Sequence, residues 1–168
     1  MAVGEPEPSG TSGVDASRFR DVLGHFASGV TVVTALDAGP VGFTCQAFAA
    51  LSLDPPMVLL APAKSSTSWP RIARAGAFCV NILAEHQGPL ARSFSVSGAD
   101  KFAGVDWRAG PATGAPVLSG ALAWAECRLE QIFDAGDHEL VTGFVLALGV
   151  GEGEPLLFYR GAFGTFSG

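Results

Sequence analysis

Two stretches of strand-forming residues, 122–133 and 138–150, are separated only by Asp134-Ala135-Gly136-Asp137. A link that short, with a glycine in it, makes the two pair as an antiparallel hairpin. The same texture recurs earlier in the chain. Residues 30–36 are apolar and β-branched, Asp37-Ala38-Gly39-Pro40 is a turn, and 41–46 resumes a strand. Residues 57–61, 77–83 and 156–160 supply further short strands. Helices are fewer. One is expected from a Ser17 cap to Gly29, with Phe19, Val22, Leu23 and Phe26 on one face. A second spans 67–74 with Pro70 near its start, and a third spans 85–94 across Gly88-Pro89. Strands outnumber helices and do not alternate with them. The expected fold is mainly β: a closed antiparallel β-barrel with flanking helices.

The 168 residues suit one domain with a sizeable core. Residues 1–16 are rich in Gly, Pro, Ser and Glu and read as a disordered tail, with the domain over 17–168. Charged residues are only 15% and apolar residues 48%, which is too apolar for disorder throughout. The apolar runs are too short to span a bilayer, so no membrane association is expected. The start of the chain has neither basic residues nor an apolar run, so it does not read as a secretory signal, and the expected location is cytoplasmic. Cys45, Cys79 and Cys127 are far apart and match neither a disulfide framework nor a zinc spacing. A formal net charge of −6 argues against nucleic acid as the main partner. A small anionic ligand needs only a few local donors and remains compatible.

Much familiar chemistry is missing. There is no GxGxxG after a strand, no Walker A loop, no GxSxG elbow and no HExxH. His25, His86 and His138 are scattered. One reaction class tolerates this emptiness. Hydride transfer between a nicotinamide and a flavin needs two rings held at the right separation, and the cofactor supplies the electronics.

Four segments could line a site. Residues 42–48 end in small side chains that would let a flat ring approach the backbone, yet they also read as a bent core strand. Lys64-Ser65-Ser66-Thr67 precedes a helix and suits an anion or polyol, or an ordinary cap with a solvated lysine. Phe94-Ser95 with Lys101 offers a phosphate partner or a surface lysine. Gly136-Asp137-His138 brings a histidine to the head of a strand, where most are simply solvated.

In their order, these segments resemble the flavin reductase family with the FMN-binding split-barrel fold, the reductase components of two-component flavin-dependent monooxygenases. The resemblance runs from Phe19 to Phe166. It includes FRDVLGHFASGVTVVTA, GFTCQAFAALSLDPPMVLLAPAKSSTSWP, AFCVNIL, DKFAGVDW, GDHELVTGFV and LLFYRGAF. It implies a homodimer that reduces FMN or FAD with NADH or NADPH and hands the reduced flavin to a separate monooxygenase. A non-enzymatic flavin-binding module is the alternative. It also implies that Thr44, Cys45, Gln46 and Ala47 line the isoalloxazine and ribityl chain. Lys64, Ser65, Ser66 and Thr67 would hold the ribityl and phosphate end, and Phe94, Ser95 and Lys101 would face the phosphate. His138 would contact the nicotinamide nucleotide. Residues 52–56 would be a structural turn. At Cys45-Gln46 the chain departs from the family pattern, which often has Ser or Asn there.

Overall fold

The computed structural model describes residues 13–98 and 100–166. The expected tail lies outside them up to residue 12. In chain order the elements are α1 (Ala16–Leu23), β1 (Ser28–Gly29), β2 (Thr31–Leu36), β3 (Pro40–Cys45), β4 (Phe48–Leu53) and β5 (Pro56–Leu60). Next come α2 (Trp69–Ala75), β6 (Ala77–Ile82), a 3-10 turn (Glu85–Gln87), α3 (Gly88–Ser95), β7 (Trp107–Ala109) and β8 (Pro116–Leu118). The chain continues through β9 (Ala123–Ala135), β10 (His138–Val150), β11 (Leu156–Tyr159) and β12 (Ala162–Thr165).

The main sheet has seven strands in the order β3-β2-β6-β9-β10-β5-β4, each neighbour antiparallel. The expected hairpin of β9 and β10 forms its middle. A flat sheet of this size would hold its edge strands about 29 Å apart. Yet the edge strands β3 and β4 are joined by Gln46 and Ala47 alone, a link that reaches roughly 10 Å. The sheet must therefore curl until its edges meet at that corner, which is the expected barrel. The Ala61 amide donates to the Ala47 carbonyl at 2.9 Å and holds the corner to the end of β5.

β2 is buried along nearly its whole length because both its faces are covered. Val33 and Ala35 point into one core with Phe43, Leu60, Phe78 and Val80, closed at one end by Trp69 and Ile72 of α2. Val30 and Val32 point the other way, onto Ala91 and Phe94 of α3 and Leu156 of β11. Two buried polar side chains fasten the loop that carries β7 and β8. Asn81 accepts from the Leu118 amide at 2.8 Å and donates to the Val32 and Pro116 carbonyls. Glu126 accepts from the amides of Ala112 and Thr113 and from the Thr113 hydroxyl.

Several sequence expectations need correction. Asp15, not Ser17, caps α1, accepting from the amides of Ser17 and Arg18, so the helix starts within the stretch read as tail. The helix stops at Gly24 rather than Gly29, because Ser28 and Gly29 pair with β11. None of its residues is buried. The helix expected over 85–94 is split, because the Gln87 side chain caps the Ala84 amide and a new helix starts at Gly88. The turn expected over 52–56 shrinks to Asp54-Pro55, which carries a cis peptide bond between β4 and β5.

Candidate functional site

One cavity of about 550 Å³ opens where the barrel corner, the end of β5, α3 and the β11–β12 hairpin meet. That volume suits a cofactor-sized ligand. Thr44, Cys45, Gln46 and Ala47 form one wall, Ser65, Ser66 and Thr67 a second, and Phe94, Ser95 and Lys101 a third. His138 lies at the rim, where its backbone bridges to Ala63. Thus eleven of the twelve site residues expected from the sequence line one space. Lys64 is the exception. Its ammonium turns to the Asp134 carboxylate at 3.0 Å and is not in the lining.

Local structure explains each wall. β3 ends at Cys45, so Gln46 and Ala47 leave the ladder and are exposed. The Thr44 hydroxyl donates to the Ala91 carbonyl at 2.5 Å, which fixes β3 against α3. Alanines at 47, 61, 63 and 91 keep the floor flat enough for a ring. The Ser66 hydroxyl accepts from the Trp69 amide at 3.2 Å and so shapes the turn into α2. Burial pushes the Cys45 thiol up to about 11, so at neutral pH it is a packing residue rather than a nucleophile.

Charge is distributed unevenly. The chain is acidic overall, but among the described residues no carboxylate lines the cavity, whereas the cations Arg92 and Lys101 do. Such a lining favours an anion. Lys101, however, is already engaged. Its ammonium donates to the Gly42 carbonyl at 3.1 Å, the Ser68 hydroxyl at 3.1 Å and the Phe94 carbonyl at 3.0 Å. Those contacts use all three of its protons. Burial also draws its pKa below the ordinary lysine value. The His138 Nδ1 lies 2.7 Å from the Asp137 carboxylate, and this partner holds Asp137 below the usual carboxylate range. With Nδ1–H donating to that carboxylate, Nε2 of the neutral imidazole is left to accept from a ligand.

Residues 23–167 match the flavin reductase like domain family. The chain belongs to that family. The reductase subunit HsaB of a flavin-dependent monooxygenase from Rhodococcus jostii (strain RHA1) is 52% identical over 152 residues, covering 89% of this chain and 77% of that protein. The FMN reductase (NADH) SmoA of Agrobacterium fabrum (strain C58 / ATCC 33970) is 44% identical over 156 residues, covering 92% and 88%. Among solved structures, the NADH:FAD oxidoreductase SgcE6 of Streptomyces globisporus C-1027, in complex with NAD and FAD fragments, superposes with a TM-score of 0.87 at 36% identity, covering 91% and 93%.

For this family member the fold also reveals lining residues that the sequence reading missed. Arg92 stands on α3 with its guanidinium carbon 4.9 Å from the centre of the Phe163 ring. Phe158 and Phe163 reach the cavity from the C-terminal hairpin and meet edge to face at 5.5 Å. Ser97 completes the rim beyond α3. The only hint in the sequence was that Arg92 lies within the helix leading to Phe94-Ser95.

Proposed function

We propose that this protein is an NAD(P)H:flavin oxidoreductase that reduces FMN or FAD, with NADH as the preferred donor, and passes the reduced flavin to a separate monooxygenase. The observation that carries this reading is a cavity in an acidic chain, lined by no carboxylate among the described residues, floored by alanines and ringed by hydroxyls and cations. A bound flavin would supply the redox chemistry. The protein's part is to bind, orient and exclude water. The alanine floor lets a ring lie close to the backbone at residues 44–47. Ser65, Ser66 and Thr67 offer hydroxyls to a polyol. His138 at the rim orients the nicotinamide nucleotide. None of these steps needs a general base from the chain.

The names of the relatives support each part. SmoA is an FMN reductase (NADH), SgcE6 an NADH:FAD oxidoreductase and HsaB a monooxygenase reductase subunit. The reading includes a homodimer acting in the cytoplasm. Leu146, Leu148 and Val150 are exposed at alternate positions of β10, and Phe19, Val22 and Leu23 are exposed on α1, with Phe26 exposed just beyond it. A second copy would cover such surface. No helix among the described residues is long and apolar enough to cross a membrane.

The test is to mix the purified protein with NADH and FMN in air and follow the nicotinamide absorbance, then to repeat with NADPH, FAD and riboflavin. Flavin-dependent NADH loss supports the reading. Flavin binding without NADH oxidation would leave a flavin-binding module. Light scattering tests the dimer.

A further inference from the structure

A phosphorylated flavin brings a dianion into the cavity, and the two lysines expected to meet it are engaged elsewhere. Lys64 pairs with Asp134. Lys101 gives its protons to Gly42, Ser68 and Phe94. Hydroxyls and rim backbone remain, but α3 ends here at Ser95, and a helix C-terminus carries partial negative charge. A phosphate at this end therefore needs a side-chain cation.

Arg92 meets that need. It lines the cavity, is exposed, and its guanidinium lies over the face of Phe163. Among the described residues that guanidinium makes no hydrogen bond and no ion pair. The ring holds the guanidinium plane while leaving its edge N–H groups open to a ligand. Two of them can grip two oxygens of one phosphate.

We infer that Arg92 is the residue that distinguishes phosphorylated flavins from riboflavin, by binding the flavin phosphate while stacked on Phe163. This inference rests on the flavin reductase reading. It gives Arg92, which the sequence reading did not single out, the phosphate role that the sequence reading gave to Lys64 and Lys101.

The test is equilibrium titration of FMN and riboflavin into the full-length protein and into R92Q, R92K and F163L. R92Q should weaken FMN by roughly tenfold to a hundredfold, the range for a charge-assisted hydrogen bond, and leave riboflavin little changed. R92K should keep part of the preference for FMN, because it retains the charge but not the fork. F163L should lose part of the preference for FMN, because the cation stays but the ring that orients it is gone. Added salt should weaken FMN binding to the unaltered protein more than to R92Q. Equal loss of both flavins in R92Q, or no loss of either, overturns the inference. So does an R92Q defect that appears only as a raised KM for NADH with riboflavin as acceptor, which would assign the phosphate to the nicotinamide nucleotide. If the unaltered protein binds no flavin, the functional reading itself fails, and this inference with it.

Discussion

The Lys101 ammonium donates to the Phe94 carbonyl at 3.0 Å, and the same nitrogen also holds Gly42 and Ser68. One atom thus ties together β3, the start of α2 and the end of α3, the three elements behind the cavity walls. The packing is tight here: a Cβ on Gly42 would lie 2.9 Å from the Phe94 ring.

Lys101→Met should therefore weaken FMN and riboflavin to similar degrees and lower stability by about 1–3 kcal/mol, since three acceptors lose their donor. Paired flavin titrations and urea unfolding measure the two effects. Selective loss of FMN would return the lysine to the phosphate role expected from the sequence.

His138→Ala should leave flavin affinity and the bound-flavin spectrum nearly unchanged. The kcat/KM for NADH should fall by roughly twofold to tenfold, the worth of one net hydrogen bond. Steady-state rates over a range of NADH decide it. Unchanged kinetics would mean that the imidazole serves only its Asp137 partner.

Gly110→Ala should be destabilising without touching the cavity. The added Cβ would overlap the Glu126 carboxylate, a buried group held by the amides of Ala112 and Thr113. Overpacking of this kind costs about 1–3 kcal/mol. Chemical denaturation should show the loss, while flavin affinity under native conditions should stay close to that of the unaltered protein.

Asp37→Asn should flatten the acid limb of the stability curve. Arg74 and Arg71 hold the Asp37 carboxyl below its ordinary value of 3.8. A carboxylate with a depressed folded-state pKa stabilises above its unfolded value, and that contribution is lost as pH falls through the folded one. Melting temperature measured from neutral pH down through the acid range should fall less steeply in the variant. Parallel acid limbs would show that the clamp contributes nothing.

The central hairpin was legible because its turn chemistry and β-branched runs agree, and β10 begins and ends where the sequence places it. β4 was not legible. It is an edge strand with no fully buried residue, so it lacks the alternation that marks a half-buried strand. β12 is short, contains a glycine and also has no buried residue. The site divides in the same way. Residues at 44–47 and 65–67 could be found because they share contiguous segments that resemble the family's. Arg92 could not, because nothing local separates a ligand-facing arginine from one on a solvated helix face. Only the return of β12 beside α3 gives it a stacking partner and a cavity. Conversely, Lys64 and Lys101 looked free because Asp134 lies 70 residues from Lys64, and Gly42 and Ser68 lie 59 and 33 residues from Lys101.

The corner at Gln46 and Ala47 has a kinetic consequence. β3 and β4 are successive in the chain but occupy opposite edges of the sheet, and β9 and β10 must be inserted between them before those edges can meet. Contacts so distant along the chain form slowly. During refolding, circular dichroism should report strand formation before the protein regains its ability to quench flavin fluorescence. Ligand capture would then mark the final closure of the ring rather than its first collapse.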